Sequence, residues 1–473
     1  MKSMYLFLIA CLIAAVTTGQ DSSRSIGLKE AVETAIRNNL EVKQQELLME
    51  TAEINWKQAK AERFPSLSAF ANHGTNQGRS IDPFTNAFIN QQVSYASYGL
   101  NTAVTLFNGL GILNNIKANA LGYEGRRWEL QQVKDNVTLN VILAYLQVLS
   151  NTDQLIQSGN TRGVSSKQIE RLEILNRQGA IAPSLLSDLR GQLASDELLL
   201  INNQNALNSS KLLLSQLMNV PYVKELEVER MNLEEFNPEY KASVEEIYIL
   251  AMKQLAVVKA ANLMKQSSEK AVRSAKGDLL PSLGLSGQVN TNYSNAASRD
   301  ILVNSMEDST GYVLINGSKS AVIVSRQNFT NEKIKYNDQL SNNLFTSVNL
   351  GLRIPIFNGL QSRTRVRQAQ ITQKNYEYIE QTTLIRLKQN IEQAWFNMVA
   401  AKERYQALLQ QMNAFTESFK AAEVRFAAGA GTSVDYIIAK NNLDRANINL
   451  ISARYDFLLR TKVLDYYQGK PLW

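Results

Sequence analysis

The chain repeats its own landmarks once, and this duplication constrains the fold more than any other feature of the sequence. Residues 64–67 (FPSL) recur as residues 280–283 (LPSL), and residues 106–110 (LFNGL) recur as residues 356–360 (IFNGL). A repeated order of landmarks is the signature of a duplicated structural unit. We therefore predict two copies of one unit.

The boundaries of the two copies follow from these landmarks. The first copy covers residues 21–219 and the second covers residues 241–473. The segment between them, residues 220–240, is acidic and lacks a regular hydrophobic period, so we interpret it as a linker. In the second copy, about 34 extra residues fall in a polar stretch, which we interpret as an enlarged loop over residues 294–343. Within it, Asn316-Gly317 predicts a tight hairpin turn.

The hydrophobic period changes twice within each copy. Residues 28–65 and 244–281 place apolar side chains three and four positions apart, which predicts a helix. After each proline the period becomes two, with Leu283, Leu285 and Val289 on one face and polar residues on the other. A second alternating segment leads into each Phe-Asn-Gly motif, so each copy supplies two strands.

A very long helix follows each Phe-Asn-Gly motif. Apolar residues from Leu384 to Phe426 keep the spacing of a coiled-coil seam, and a helix over residues 360–427 would be roughly 100 Å long. The seam then stops at Gly429-Ala430-Gly431 and resumes beyond it; Gly179-Ala180 interrupts the first copy at the same offset. Two seams that flank a glycine turn predict an antiparallel helical hairpin.

The N-terminus predicts export. Lys2 precedes a short apolar run, and small or polar residues follow at 17–19, which is the layout of a signal peptide over residues 1–20. Cys11, the one cysteine, ends a segment (LIAC) that also resembles a lipoprotein cleavage box, so lipidation remains an alternative. No later stretch approaches the length of an apolar spanning helix, so insertion in a membrane must use strands.

The four predicted strands cannot form a closed barrel by themselves. An open sheet edge is not viable in lipid, so several copies of the chain must assemble around an axis. The polar faces would then line a water-filled lumen and the apolar faces would contact lipid. The fold class predicted is a helix-and-strand membrane protein with a shared transmembrane β-barrel and long coiled-coil hairpins.

The residues that enzymes and metal sites require are scarce. His73 is the one histidine, so no histidine-based catalytic triad or zinc site can be assembled, and we predict no catalytic, cofactor or metal residues. The net charge of +7 is spread along the chain, and its densest basic cluster, at Arg363, Arg365 and Arg367, is typical of a solvated helix face. We therefore predict no nucleic-acid partner.

The mature chain resembles the TolC family of outer-membrane efflux proteins. The resemblance is carried by both Pro-Ser-Leu turns, both Phe-Asn-Gly junctions, the turn at residues 429–435 and the ending LDYYQGKP at residues 464–471. It implies a homotrimer with a twelve-stranded barrel in the outer membrane and a twelve-helix tunnel in the periplasm. It also implies a periplasmic adaptor protein and an inner-membrane pump as partners, in a tripartite efflux or type I secretion system.

Two functional sites follow from this resemblance. Gly179, Ala180, Gly429, Ala430 and Gly431 form the tips of the hairpins, which would meet the adaptor. In the family, an acidic residue after the second tip faces the narrowest part of the lumen, and Asp435 matches that position. The next acid of the family is replaced by Ile438, while Asp188 occupies that later position in the first copy. The family's arginine after the tip glycine is also replaced, by Gly431.

Three alternative interpretations remain, one for Asp435 and two for the function of the whole chain. Asp435 also fits an ordinary acid in the first turn of a helix, which the helix dipole favours. The chain as a whole could be a non-conducting periplasmic adaptor with helical hairpins, although the alternation through residues 347–356 argues against that. A cell-surface enzyme or binding protein carried on the enlarged loop is a third possibility, but that loop is short for a catalytic domain.

Overall fold

The computed structural model describes residues 25–81, 86–90, 92–230, 240 and 242–472 of the chain. The signal peptide and Cys11 lie outside these residues. Contacts divide the chain into two units. The first contains the described parts of Met1–Glu53, Ala120–Ser267 and Lys374–Trp473, and the second contains those of Ile54–Asn119 and Ser268–Gln373.

The predicted helices and strands occur in the predicted order, and further elements lie between them. The elements of the first half are β1 (Ser25–Ile26), α1 (Leu28–Asn38), α2 (Leu40–Ala61), β2 (Ser66–Asn76), β3 (Arg79–Ile81), β4 (Phe88–Asn90), β5 (Val93–Asn108), α3 (Gly111–Arg177), α4 (Pro183–Met218) and β6 (Glu227–Val228). Those of the second half are α5 (Val244–Gln254), α6 (Ala256–Gly277), β7 (Ser282–Ser294), β8 (Ser298–Ile315), β9 (Ser318–Lys333), α7 (Tyr336–Asn342), β10 (Phe345–Arg353), α8 (Gln361–Ala427) and α9 (Ser433–Tyr467).

The first helical segment of each half is broken once, where the sequence predicted a continuous helix. Asn39 separates α1 from α2 with an extended backbone, and its side chain accepts a hydrogen bond from the Val42 amide at 3.0 Å. Leu255 separates α5 from α6 with a similarly extended backbone. Among the described residues, no single helix is long and apolar enough to cross a membrane, and only the α5–α6 pair, bent by 52°, passes that test with its two helices taken together.

The two long helices begin and end at matching places. Both α3 and α8 contain 67 residues, and each follows a turn with positive φ angles at Gly109 and Leu110 or at Gly359 and Leu360. The seam of α8 lies as predicted, because residues on it such as Leu387, Ile391 and Met398 are buried. The Asn108 side chain accepts a hydrogen bond from the Ile112 amide at 3.1 Å, so it satisfies a first-turn amide although α3 begins three residues later. Asn358 instead donates to the Ser362 hydroxyl at 2.6 Å.

A four-stranded antiparallel sheet occupies the second unit, in the order β10-β7-β5-β2. Its register places side chains in rows across all four strands. One row is Ser347, Gln288, Asn101 and Ser68, and the next row, on the opposite face, is Thr346, Val289, Leu100 and Ala69. Leu350 pairs with Leu285 on the apolar face. The sheet therefore has one polar and one apolar face, as the alternation predicts.

The segment interpreted as an enlarged polar loop is mostly a long β-hairpin. Strands β8 and β9 pair through sixteen registered positions and two register shifts, between Leu302 and Asn304 and between Ser309 and Gly311. The turn lies at Asn316 and Gly317, which both have positive φ, so the predicted turn is present. The strands that flank it fill most of the segment that was interpreted as a loop.

The segment interpreted as an irregular linker also contains regular structure in its described part. Strand β6 pairs in parallel with β1, with Glu227 opposite Ser25. The fully buried Tyr145 of α3 holds this pair, because its hydroxyl lies 2.9 Å from the Ile26 carbonyl and 2.8 Å from the Glu229 carbonyl. Burial raises the pKa of Tyr145 to about 12, so the hydroxyl stays protonated and can donate. This part of the linker is thereby fixed to the core of the first unit.

Candidate functional site

The two helical hairpins of the first unit turn with the same backbone geometry. Gly179 and Gly429 each have a φ of 71°, which a side chain would disfavour. The next amide, of Ala180 or Ala430, donates to the carbonyl five residues earlier at 2.9 Å, and the glycine amide donates to the carbonyl three residues earlier. This is the Schellman closure of a helix C-terminus. The tip residues predicted from the sequence therefore share one structural role.

Exposure at these turns fits a surface that can contact another protein. Gly179, Ala180, Gly429 and Ala430 are exposed, and Gly431 is half-buried. No charged side chain occurs between Gly179 and Ala182 or between Gly429 and Thr432. A docking surface of this kind would be small and largely uncharged.

The helices that leave the two turns begin differently. At the second turn Thr432 is the N-cap of α9, and it forms a capping box with Asp435: the Thr432 hydroxyl lies 2.7 Å from the Asp435 carboxylate and 3.1 Å from the Asp435 amide. At the first turn Ala182 is the N-cap of α4 and provides no side-chain hydrogen bond, and Pro183 follows it. One helix is capped by side chains and the other by proline geometry.

The capping box defines the electrostatic state of Asp435. The carboxylate is exposed, and hydrogen bonds from the hydroxyl and amide of Thr432, together with the charge of Arg425, lower its pKa. Asp435 is thus ionised at neutral pH and holds the first turn of α9. This is the helix-start role that the sequence offered as the alternative to a lumen gate, and the gate role stays a prediction.

Asp188, the other predicted gate residue, connects the two turns. Its carboxylate accepts a hydrogen bond from the Ser433 hydroxyl at 3.0 Å, so α4 and α9 are joined two residues before Asp435. A cavity of about 450 Å³ lies beside this contact. Its lining includes Asp188, Ser433, Arg171, Phe426 and Thr432. The structure therefore brings both predicted acids to the same end of the first unit.

An apolar cluster packs beneath the turns. Tyr436 is 2% exposed, and its ring stacks on Phe426 at 5.0 Å between centroids and lies 5.5 Å from Phe419. Side chains from both hairpins complete the cluster, including Ile169, Leu172, Leu186 and Leu189. The two turns are consequently held as one body by shared burial.

A buried ionic cluster lies farther along the same helices, and sequence reasoning missed it. The Lys440 ammonium of α9 lies 2.9 Å from the Asp196 carboxylate of α4 and 2.8 Å from the Asp444 carboxylate. The side chains of Lys440 and Asp196 are only 3% and 4% exposed. Three hydroxyl or amide side chains, those of Ser165, Thr161 and Gln192, donate to the two carboxylates. Six side chains, two each from α3, α4 and α9, thus share one polar core.

The signal for this cluster was present in the spacing. Asp196 lies seven residues after the buried Leu189, and Lys440 lies four residues after the buried Tyr436, so both charges fall on apolar seams. A charge on a seam must find a partner, because an unpaired buried charge is costly. The partner of each charge could be identified only once α4 was known to pack against α9.

The described residues hold no group of three or more histidine, cysteine, aspartate or glutamate side chains that could bind a metal ion. His73 lies within β2, opposite Ala96, with its side chain exposed.

Comparison with known proteins identifies the family. The family model described as "Outer membrane efflux protein" matches residues 31–220 and 250–466. The outer membrane protein TolC of Escherichia coli K12 is 22% identical over 388 residues, which is 76% of this chain and 72% of TolC.

Solved structures show the same fold. CusC superposes with a TM-score of 0.74 at 14% identity, covering 94% of this chain and 92% of CusC. The outer membrane protein VceC of Vibrio cholerae superposes with a TM-score of 0.73 at 14% identity, covering 94% of this chain and 97% of VceC. These findings confirm the predicted outer-membrane efflux channel and the predicted location, and they do not support the periplasmic adaptor. The chain belongs to the outer membrane efflux protein family.

Proposed function

We propose that three copies of this chain form the exit duct of a tripartite efflux or type I secretion system. Each copy contributes the four strands β2, β5, β7 and β10 to one shared transmembrane barrel, and the helical hairpins form a periplasmic tunnel. Transport through this duct is passive, and an inner-membrane pump with a periplasmic adaptor delivers the substrate. The repeated turns at Gly109–Leu110 and Gly359–Leu360 support an origin from two copies, residues 21–219 and 241–473. We also propose that residues 1–20 are a signal peptide.

The four-stranded sheet is the observation that carries this proposal. Its apolar face is exposed in one copy: Val348, Leu350 and Leu352 are 73%, 65% and 64% exposed. Its polar face carries a row of serine, asparagine and glutamine side chains. Within the described chain, β2 and β10 each pair on one side only, so both edges offer free backbone groups. Pairing β2 of one copy with β10 of the next satisfies these groups and closes the barrel.

The assembly can be tested by the mobility of the detergent-extracted protein on a gel. We expect a trimer that dissociates only on heating. Leu350→Arg places a charge on the face assigned to lipid and should cost about 2–4 kcal/mol if it lies near mid-membrane, so its trimers should be strongly depleted. Asn349→Arg, on the opposite face of the same strand, is the matched control and should assemble. A water-soluble monomer, or equal depletion in both variants, contradicts the barrel.

The exposed, uncharged turns at Gly179 and Gly429 support a docking role toward the adaptor. Ala430→Arg should abolish export of a pump substrate while the heat-sensitive trimer remains. Gln410→Arg introduces the same charge on an exposed position of α8, about 25 Å along the helix, and should leave export unchanged. Full export by the Ala430→Arg variant would remove the turn from the interface.

The proximity of Asp188 to the second turn supports a lumen gate. Three-fold symmetry would bring three Asp435 carboxylates, together with three of Asp188, to one constriction, and such a ring favours cations. The double variant Asp435→Asn with Asp188→Asn should reduce cation selectivity in planar-bilayer recordings and weaken block by multivalent cations. Thr432→Ala is the control for the cap, since it disrupts the box without removing either charge. Unchanged selectivity in the double variant excludes both acids from the gate.

A further inference from the structure

The hairpin β8–β9 projects from the sheet on a rigid base. The Gln339 side chain is 1% exposed, and it bonds to the Ser294 amide at 2.9 Å, the Ser294 carbonyl at 3.0 Å and the Ile334 carbonyl at 2.8 Å. The Tyr336 hydroxyl lies 2.8 Å from that of Tyr98 in β5. The buried contacts of Gln339 and the exposed tyrosine pair together fix the direction of the hairpin. With sixteen residues in β9, the ribbon is roughly 50 Å long.

The middle of the hairpin satisfies its own polar groups. Arg326 lies 3.6 Å from Asp308 on the paired strand, the hydroxyls of Ser305 and Ser325 are 2.7 Å apart, and Asn328 donates to Asn304 at 3.0 Å. These cross-strand pairs need no further partner.

The tip has the opposite character. Residues 312–324 contain one charged residue, Lys319, and their apolar side chains are exposed. Tyr312, Leu314 and Ile323, on one face, are 70%, 69% and 62% exposed. The register places Val313, Ile315, Val322 and Val324 on the other face, at 49%, 56%, 38% and 45%. An apolar patch of this extent on a soluble ribbon marks a contact surface, and a two-stranded ribbon alone is marginally stable.

Two different apolar faces on one ribbon restrict the possible partner. A two-fold pair of tips would bury the same face twice and leave the other in water. A cyclic assembly uses both faces of every copy, because the face with Leu314 in each protomer contacts the face with Val322 in the next. In a trimer, the fixed bases would also hold three tips at one level, where their effective concentration greatly exceeds that of any free protein.

We propose that the tips of β8–β9 from three copies pack on one another outside the barrel, with the Leu314 face of one copy against the Val322 face of the next. The inference rests on the proposed trimer and adds a second, extramembrane interface to it. This bundle lies on the three-fold axis above the exit of the duct and restricts its mouth.

Crosslinking tests the bundle in the assembled trimer. The chain has one cysteine, Cys11. In a Cys11→Ser background, the substitutions Leu314→Cys and Val322→Cys therefore introduce the only two thiols. These two positions lie on opposite faces of one hairpin, so a short bis-maleimide should join neighbouring copies and give covalent trimers that survive boiling. The matched control is the pair Ser305→Cys, Asn328→Cys in the polar middle, which should give at least ten-fold less covalent trimer. Adding Ile323→Asp to the tip pair should produce a similar loss without changing heat-sensitive mobility.

The possible results separate the bundle from the trimer itself. Heat-sensitive trimers whose tip pair gives no more covalent product than the control overturn the bundle alone. Absence of trimers before crosslinking overturns the proposed assembly and the bundle together. A product that joins the tip to a protein of another mass, or quenching of a tip-attached fluorophore by brominated lipid, assigns the tip to another partner or to a bilayer and also overturns the bundle.

Discussion

The two helical hairpins close with one backbone motif but stabilise their ends by different means. At the first turn, Arg190 of α4 lies on the surface and pairs with Glu173 at 2.8 Å, with the two side chains 60% and 40% exposed. At the same offset in the second hairpin, Lys440 is buried between Asp196 and Asp444. Both positions carry a cation with a carboxylate partner, yet one pair is in water and the other is in the core.

The corresponding positions of the two hairpins therefore share their backbone geometry but not their energetic roles. Glycine at positive φ is required in both turns because the Schellman closure depends on it. The cation has no such constraint, so its environment can differ between the hairpins. In the second hairpin it is the polar centre that joins α9 to α4, whereas in the first it belongs to a solvated pair.

The largest expected effect is the loss of the buried cation. Lys440→Ala leaves two carboxylates in the core without their counter-charge, and breaking a buried pair in this way costs about 3–5 kcal/mol. The matched variant Arg190→Ala removes a surface pair and should cost at most about 1 kcal/mol. Denaturant unfolding in detergent, followed by helical circular dichroism, measures both. Equal losses in the two variants would contradict the contrast between the hairpins.

Removing the whole cluster sharpens the same comparison. Lys440→Met combined with Asp196→Asn and Asp444→Asn leaves no charge in the core, so this triple variant should be more stable than Lys440→Ala alone. If the triple variant is as unstable as the single one, the loss comes from packing around Lys440 rather than from unpaired charge.

Much of this architecture could be predicted from the sequence, because hydrophobic period reports directly on which face is buried. The seam from Leu384 to Phe426 and the faces of β7 are correct for this reason. The breaks at Asn39 and Leu255 could not be seen in the period. Ala35 and Val42 are both buried and lie seven residues apart, which is the spacing of an unbroken helical seam. The extended residue between them therefore does not change the hydrophobic period of the sequence.

The hairpin β8–β9 escaped prediction for a different reason. Val303 and Thr310 lie at its two register shifts, where an extra residue moves the following side chains to the opposite face. The hydrophobic period of two is therefore interrupted twice in β8, so its sequence resembles an irregular polar segment. The ionic cluster escaped because Asp196 and Lys440 are 244 residues apart, and only packing of α4 on α9 pairs them.

A smaller effect is expected at the helix starts, where the turns differ in their caps. Thr432→Ala removes the hydroxyl that accepts from the Asp435 amide and should destabilise the protein by about 1 kcal/mol. The reverse change at the first turn, Ala182→Ser, supplies a hydroxyl where the backbone is already extended, with ψ at 138°, and should add stability. Thermal unfolding of the two variants in detergent compares them. A gain from Thr432→Ala would mean that the box does not hold α9.

The smallest expected effect is the response of the second turn to acid. Hydrogen bonds from Thr432 lower the pKa of Asp435 below its ordinary value of 3.8, so the folded state binds this proton more weakly than the unfolded state does. The box therefore stabilises the protein fully above pH 3.8, and this contribution is lost as pH falls through the lowered pKa. The stability difference between the native chain and Asp435→Asn should be constant near neutral pH and shrink below pH 4. The first turn offers the control, since Leu185 stands where the first copy would match Asp435, and Leu185→Asn should change stability by an amount that does not vary between pH 3 and 7. A difference for Asp435→Asn that persists unchanged at pH 3 would show that its side-chain shape, and not its charge, completes the cap.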